Sequence, residues 1–313
     1  MDFIPKNPIL EFKPDTLECI RKQYDLDKPG QMKEAVNILR DWVQKQNHFK
    51  KKDFGDHYYE IIIITSKGSL ERAKARIDKI CTMRTLLPQF FAGSNVKTDF
   101  GNIHDFSYTF MLPKLTSDHY RVELIKFENY PISQSQFKNY LKSQIVMADY
   151  LQSNDYMNGF IIVVDLTETN LSEFLSLLNP IELRQIISIF VEGYGMRIKG
   201  IHLISPSKLI DALIAIARQV LSSKIAGRIH IHKTIEEIYK FIPKHILPKD
   251  YGGEERSLNE LQATWIEVLS SEKHLKYMRE INKACTDENY RRSDKFNEQC
   301  AGMPGTFRLL SVD

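Results

Sequence analysis

Residues 159–166, GFIIVVDL, constrain the fold more than any other stretch of this chain. The run is almost unbroken in apolar and β-branched residues and shows no alternation. That marks a strand buried on both faces, and such strands belong to parallel sheets sandwiched by helices. The flanking sequence agrees. Residues 107–112 and 120–127 read as strands joined by the polar turn Thr116-Ser117-Asp118, and residues 136–151 as a helix. Asn170, with Glu173 at the capping-box position, starts a helix that runs through Leu178. Residues 180–192 then read as helix, 197–204 as strand, 207–221 as helix and 228–232 as strand. Strands alternating with helices predict an α/β layer built on a mostly parallel sheet.

The N-terminal part reads as helices. Asp15 or Thr16 starts a short one, and residues 31–46 place Ala35, Ile38, Leu39 and Trp42 on one face. Residues 69–87 place Leu70, Ala73, Ile77 and Ile80 at helical spacing, and Pro88 ends them. Residues 57–65 are apolar and β-branched, and a run that short fits a buried helix or a strand equally well. The expected organisation is a helical domain over 1–95, an α/β domain over 96–255, and a C-terminal helix and tail over 256–313. Ser257 and Glu260 cap that last helix.

Composition narrows the function. The chain has 43 Lys+Arg against 40 Asp+Glu, a formal net charge of +3, which excludes nucleic-acid binding by bulk charge. Cys19, Cys81, Cys285 and Cys300 form no closely spaced pair and read as reduced thiols. The opening MDFIPKNPILEFKPD has no cationic start followed by an apolar stretch, and no apolar run approaches the ~20 residues of a membrane span. These features predict a cytoplasmic protein that meets membranes reversibly. No G-x-S-x-G, H-E-x-x-H or P-loop is present. Gly193, Gly195 and Gly200 follow a helix and precede a strand, the reverse of a dinucleotide fingerprint. His230 and His232 share a strand face but lack a third metal ligand, and Asp165 and Glu168 read as turn formers. The expectation is a non-enzyme with no cofactor and no metal.

Two features stand out in residues 193–233. Seven basic residues occur there against one acidic residue, Asp211. Arg197 and Lys199 are two apart on a strand, and Lys224 and Arg228 are one helical turn apart, so each pair shares a face. In addition, ten of the fifteen residues 207–221 are apolar, with Lys208, Asp211, Arg218 and Ser222 as a narrow polar stripe. A helix of that kind is buried or covers something greasy. An apolar helix flanked by cations suggests a lipid site with its head group at the cations.

These stretches resemble the CRAL-TRIO family of lipid-transfer proteins, in the branch that carries tocopherol and retinaldehyde. The resemblance rests on SLERAKARIDKICTMRTLLPQF (69–90), GFIIVVDL with the eight residues after it, YGMRIKGIHLISPS (194–207), LSSKIAGRIHIH (221–232) and IPKHILPKDYGG (242–253), in family order. The terminal AGMPGTFRLLSVD also resembles tails of animal members. The resemblance implies a helical N-terminal domain beside an α/β domain whose sheet floors an apolar cavity, with 207–221 as a mobile gate. It implies phosphoinositide binding by Arg197, Lys199, Lys224 and Arg228. By position, Phe160, Ile162, Val164, Leu171, Ile186, Ile189, Phe190, Tyr194, Met196 and Ile201 line the cavity, with Ile210, Leu213, Ile214 and Ala217 on the gate. The sequence departs from the family at IIIITSKG (61–68), where Ser66 and Lys67 stand in a segment that usually bears arginines, and at Thr167-Glu168, where Glu-Gly is common. The implied function is that of a monomeric carrier moving one hydrophobic molecule between membranes, a retinoid, tocopherol-like, carotenoid-like or phospholipid ligand. The alternative is a phosphoinositide-reading adaptor in vesicle traffic with a structural lipid in its cavity.

Overall fold

The computed structural model describes residues 3–291. Helices α1 (Thr16–Gln23), α2 (Gln31–Gln44), α3 (Asp56–Thr65) and α4 (Leu70–Leu86) precede the sheet. The ambiguous run at 57–65 is therefore helical. Residues 58–65 are all buried, because α2, α4 and the later helix α6 (Gln134–Asn154) surround α3. A helix enclosed on every side needs no polar face, so its sequence carries no helical period. Its one buried acid, Glu60, is paired with Arg21 at 2.5 Å and accepts from the Tyr156 hydroxyl at 3.1 Å.

A short helix, α5 (Ile103–Phe106), leads into the sheet of β1 (Ser107–Met111), β2 (Tyr120–Phe127), β3 (Gly159–Asp165), β4 (Ile198–Ile204) and β5 (Ile229–His232). The strands lie in sequence order; β1 is antiparallel to β2 and the remaining pairs are parallel. The layer is α/β, as the alternation of elements predicts. A register shift at Phe160/Ile161 leaves Arg197 just before β4, where its carbonyl still accepts from the Phe160 amide at 2.9 Å. The crossovers are α6, α7 (Leu171–Leu177), α8 (Pro180–Ser188), α9 (Ile210–Val220) and α10 (Ser223–Ala226). Two of them differ from expectation. Helix α8 ends at Ser188 and passes into a wider π-turn, Ile189–Gly193. Helix α9 begins at Ile210, since the Ser205 and Ser207 hydroxyls hold the preceding backbone in turns.

Helices α6 and α7 cover one face of the sheet: Thr109 donates to the Tyr140 hydroxyl at 3.2 Å, and the Phe127 and Phe174 rings lie 4.9 Å apart. The opposite face is covered by residues 235–255, where the Tyr251 hydroxyl donates to Asp165 at 2.6 Å and Phe241 packs 4.6 Å from the His202 ring. Two further helices follow, α11 (Leu258–Leu269) and α12 (Glu272–Ile281), the first closed by the expected Ser257–Glu260 capping box. Residues 284–291, which read as the start of a tail, dock instead on α4. The Thr286 amide donates to Thr85, and Arg291 holds Asp78 at 2.7 Å. Cys300 and AGMPGTFRLLSVD lie outside the described residues.

The helical part and the α/β part meet at a buried ion pair. The Arg84 guanidinium lies 2.5 Å from Asp149 on α6, donates to the Tyr194 hydroxyl, and sits over the Phe91 ring. Removing one partner of such a pair leaves an uncompensated charge in the interior.

Candidate functional site

The strand register defines a row of side chains across the α6–α7 face of the sheet. Met111, Glu123, Ile162, Ile201 and Ile229 are paired neighbours in turn, and the next row is Thr109, Ile125, Val164, Leu203 and Ile231. Ile125, Ile162, Val164, Ile201 and Ile229 are only half-buried, and Ile231 is exposed. Helix α9 packs against α7, α8 and α10, and the sheet is not among its principal neighbours. Its inward residues Leu213, Ile216, Ala217 and Val220 are also half-buried. The structure thus holds an apolar sheet face and an apolar helix face that are each only half-buried.

The expected lining residues fall into two groups. Ile162, Val164, Phe190, Met196, Ile201, Leu213 and Ala217 are half-buried. Phe160, Leu171, Ile186, Ile189, Tyr194, Ile210 and Ile214 are buried in packed protein. Tyr194 directs its hydroxyl to Arg84, in the seam with the helical part. Beside Phe160, Tyr194 and Met196 there is a cavity of about 20 Å³, room for one water molecule and not for a lipid. Sequence position alone does not separate the two groups, because both carry the same residue types.

The four expected cations converge. Arg197 donates to the Tyr24 hydroxyl and lies over the Tyr24 ring at 5.1 Å. Lys199 lies 4.8 Å from the Tyr120 ring, and its stem runs along Gly159, where a Cβ would come within 2.8 Å of it. Arg228 donates to the Ile198 carbonyl, and Lys224 is exposed on α10. Burial lowers the proton affinity of Lys199, and Arg197, Arg228 and Lys224 lower it further against a small opposing effect of Asp118. Mutual repulsion of this kind marks a site that gains by taking up an anion.

The helical part adds cations that the motif comparison does not identify. Lys67, exposed in the turn before α4, has its proton affinity lowered first by desolvation and then by Lys224, Arg197, Arg72 and Lys199. The Arg76 guanidinium donates to Thr65 and Ser66 at 3.0 Å each. Burial, followed by Arg197 and Arg72, brings it down to about 10. It packs flat on Gly195, whose φ of 71° and absent Cβ permit the approach. Residues 61–68 contain no arginine, and Lys67, Arg72 and Arg76 join the basic cluster from the turn and the first turns of α4.

The weaker motifs resolve into structural roles. Asp165 accepts from the amide and hydroxyl of Thr167 and from Tyr251, and Glu168 pairs with Lys126. His230 and His232 are joined by His202 from β4, all three stacked beside Phe241, with His202 and His232 hydrogen-bonded at 2.9 Å. Among the described residues no single helix is long and apolar enough to cross a membrane.

Comparison with known proteins agrees with this architecture. Residues 105–253 match the CRAL/TRIO domain. Proteins named alpha-tocopherol transfer protein-like from Homo sapiens and Mus musculus are 32% identical over 114 residues, covering 36% of this chain and 32% of theirs. A CRAL-TRIO domain-containing protein of Caenorhabditis elegans is 31% identical over 98 residues, 30% of this chain and 24% of its own. The match therefore spans about a third or less of these relatives' length. The crystal structure of Sfh5 superposes with a TM-score of 0.48 at 9% identity, over 87% of this chain and 99% of that one. Residues 105–253, just under half of the chain, hold the whole sheet, both apolar faces and the four converging cations, and it is this part that is similar to the CRAL/TRIO domain.

Proposed function

We propose that the protein binds one hydrophobic small molecule between the sheet and α9 and transfers it between membranes. Docking uses the cations around Arg197, Lys199, Lys224 and Arg228 to hold phosphoinositide head groups at a cytoplasmic membrane surface. The observation that carries this reading is that the apolar row Ile125, Ile162, Val164 and Ile201 is only half-buried, as are Leu213, Ile216, Ala217 and Val220 of α9. Apolar surface left open in that way is unfavourable by roughly 25 cal/mol per Å², and a chain of ~20 carbons would cover it with gain enough for tight binding before ordering costs. No group in this region is arranged to make or break a bond, so the mechanism is extraction, shielding and release. Helix α9 opens when a membrane offers its apolar side a better environment than water.

The test has two parts. Native mass spectrometry of protein exposed to mixed vesicles of phosphatidylcholine, α-tocopherol and retinol should show one lipid per chain; an empty chain in every mixture overturns the carrier reading. Lys224→Glu with Lys67→Glu changes two exposed residues. At about 1 kcal/mol per cation near an anionic surface, this pair should weaken binding to phosphatidylinositol-bisphosphate vesicles tenfold or more. It should leave lipid uptake in solution unchanged. Equal vesicle binding by the double variant would make the cluster an ordinary solvated surface.

A further inference from the structure

The α6–α7 face of the sheet holds an ionisable group, Glu123, that has no hydrogen-bond or ion-pair partner among the described residues. Arg121, Glu123, Ile125 and Phe127 share that face by the alternation of β2. Arg121 is neutralised there by both oxygens of Asp155, at 2.8 Å each, and donates to the Leu112 carbonyl. Glu123, two residues on, is different. Its paired neighbours across the row are Met111 and Ile162, and beyond them Ile201 and Ile229. Burial pushes its carboxyl up to about 7, and no hydrogen bond or nearby charge acts to bring it back. Yet the residue keeps accessible surface, which a side chain packed into solid core does not. Glu123 is therefore surrounded by protein and still borders open space, in the row that floors the apolar region under α9. From α6, Tyr140 comes close enough that, after burial, the Glu123 charge also raises its hydroxyl; that hydroxyl is already taken by Thr109.

A buried carboxyl with nothing to bond costs stability, and the cost is removed only when a partner arrives. The described residues supply none, and the space beside it is where the proposed lipid would lie. In such a site a protonated carboxyl donates to a carbonyl or hydroxyl oxygen and a carboxylate accepts from a hydroxyl or amine. The carboxylate form repels a second anion in contact, and the protonated form accepts one only while it keeps its proton.

We propose that Glu123 reads the polar end of the bound lipid, so that the cavity takes long apolar molecules ending in a hydroxyl, carbonyl or amine and rejects those ending in a carboxylate or phosphate. This rests on the lipid-binding reading above and narrows it to a ligand class. A phospholipid fits poorly, because its phosphate would face the phosphoinositide cluster only if its polar end lay outside the cavity.

Retinol, retinaldehyde and retinoic acid share one polyene and differ at the end group, and hexadecanol and hexadecanoate repeat the comparison on a saturated chain. Binding of each is measured at pH 7 by tryptophan quenching or displacement of a fluorescent fatty-alcohol probe. The native protein should bind the alcohols and the aldehyde at least tenfold more tightly than the acids. Glu123→Gln, which keeps neutral hydrogen bonding, should hold retinol within about threefold and bind retinoic acid more tightly than the native chain does. Glu123→Leu should weaken retinol about tenfold and remove the discrimination. Glu123→Leu should melt above the native protein, since it removes an unpartnered polar group altogether. Equal affinity for alcohols and acids, unchanged in Glu123→Leu, would overturn the role of Glu123 while leaving lipid binding intact. A lower melting temperature in Glu123→Leu would likewise overturn it, by showing that Glu123 is satisfied inside the protein. Failure of the native chain to take up any of the five probes would overturn the carrier reading and this one together.

Discussion

The two faces of the one sheet are built from the same kinds of residue and end in different states. On the face covered by residues 235–255, Val122, Leu124, Val163 and Ile204 have no accessible surface left, and the acid among them, Asp165, is fully bonded. On the face under α6–α9, Ile125, Ile162, Val164 and Ile201 keep a share of theirs, and the acid among them, Glu123, is bonded to nothing in the described protein. The covering segment on the first face is short 3₁₀ turns whose Ile238, Ile242, Ile246 and Leu247 fill every gap. The second face lies under α6 and α7, and α9 beyond them rests on α7, α8 and α10. Closure therefore depends on what lies above the sheet rather than on the strands themselves, and the unclosed face is the one proposed to take a ligand.

This contrast can be broken most sharply by truncation. Leu124→Ala, on the closed face, should cost about 2–5 kcal/mol, because it removes buried methyl groups and leaves a cavity. Ile162→Ala, its counterpart on the open face, should cost about 1 kcal/mol while impairing lipid uptake more strongly than Leu124→Ala does. Urea unfolding of the two variants checks the first half and lipid titration the second; equal losses in stability would mean that the two faces are packed alike.

Acid should act on the closed face next. Burial, then the charges of His232 and His230, hold His202 down at about 4. A histidine depressed in the folded state contributes stability that is complete above its unfolded value near 6.5. That stability is lost as the pH falls toward 4, since the unfolded chain takes up a proton that the folded one refuses. Burial alone depresses His274 to about 4 in the same way. The groups facing His202 are His230 and His232 on β5, Glu237 beside His232, and the uncharged Phe241 ring. Unfolding free energy measured at pH 7 and pH 4.5 should fall by about 2–3 kcal/mol for His202. His202→Phe should recover part of that fall, and an unchanged slope would place the histidine stack in open solvent.

The smallest effect on stability belongs to α9. Leu213 is half-buried and Ile214 is buried, so the two adjacent residues separate cover from core. Leu213→Asp should change stability by less than about 1 kcal/mol while slowing lipid transfer to vesicles several-fold, whereas Ile214→Asp should destabilise the fold. Transfer rates from a fluorescence assay, set beside melting temperatures, distinguish the two, and identical behaviour would make α9 an ordinary core helix.

Much of the architecture was legible in the amino-acid sequence because it depends on neighbours along the chain. The apolar run of β3, the Asn170 and Ser257–Glu260 caps and the spacing of Arg197 with Lys199 are all local signals, and each leads to the element or pair found in the structure. The clustering of Lys224 and Arg228 with them was suggested by charge and spacing within residues 193–233, and the resemblance to a family pointed to the same four residues. The isoleucine run of α3 was not decidable locally, since a helix enclosed by three others and a strand enclosed by two layers demand the same residues.

Other features came into being only when distant segments met. Lys67, Arg72 and Arg76 join the basic cluster from more than a hundred residues away, and His202 completes the stack with His230 only through the pairing of β4 with β5. The sequence alone determined that Glu123 and Ile125 share a face of β2, because side chains alternate with a period of two. Which face would be sealed, and which would leave Glu123 without a partner, was decided by the register between β2 and β3 and by where α9 comes to rest. Register and coverage are set by the packing of whole elements, and no single segment of the chain carries that information.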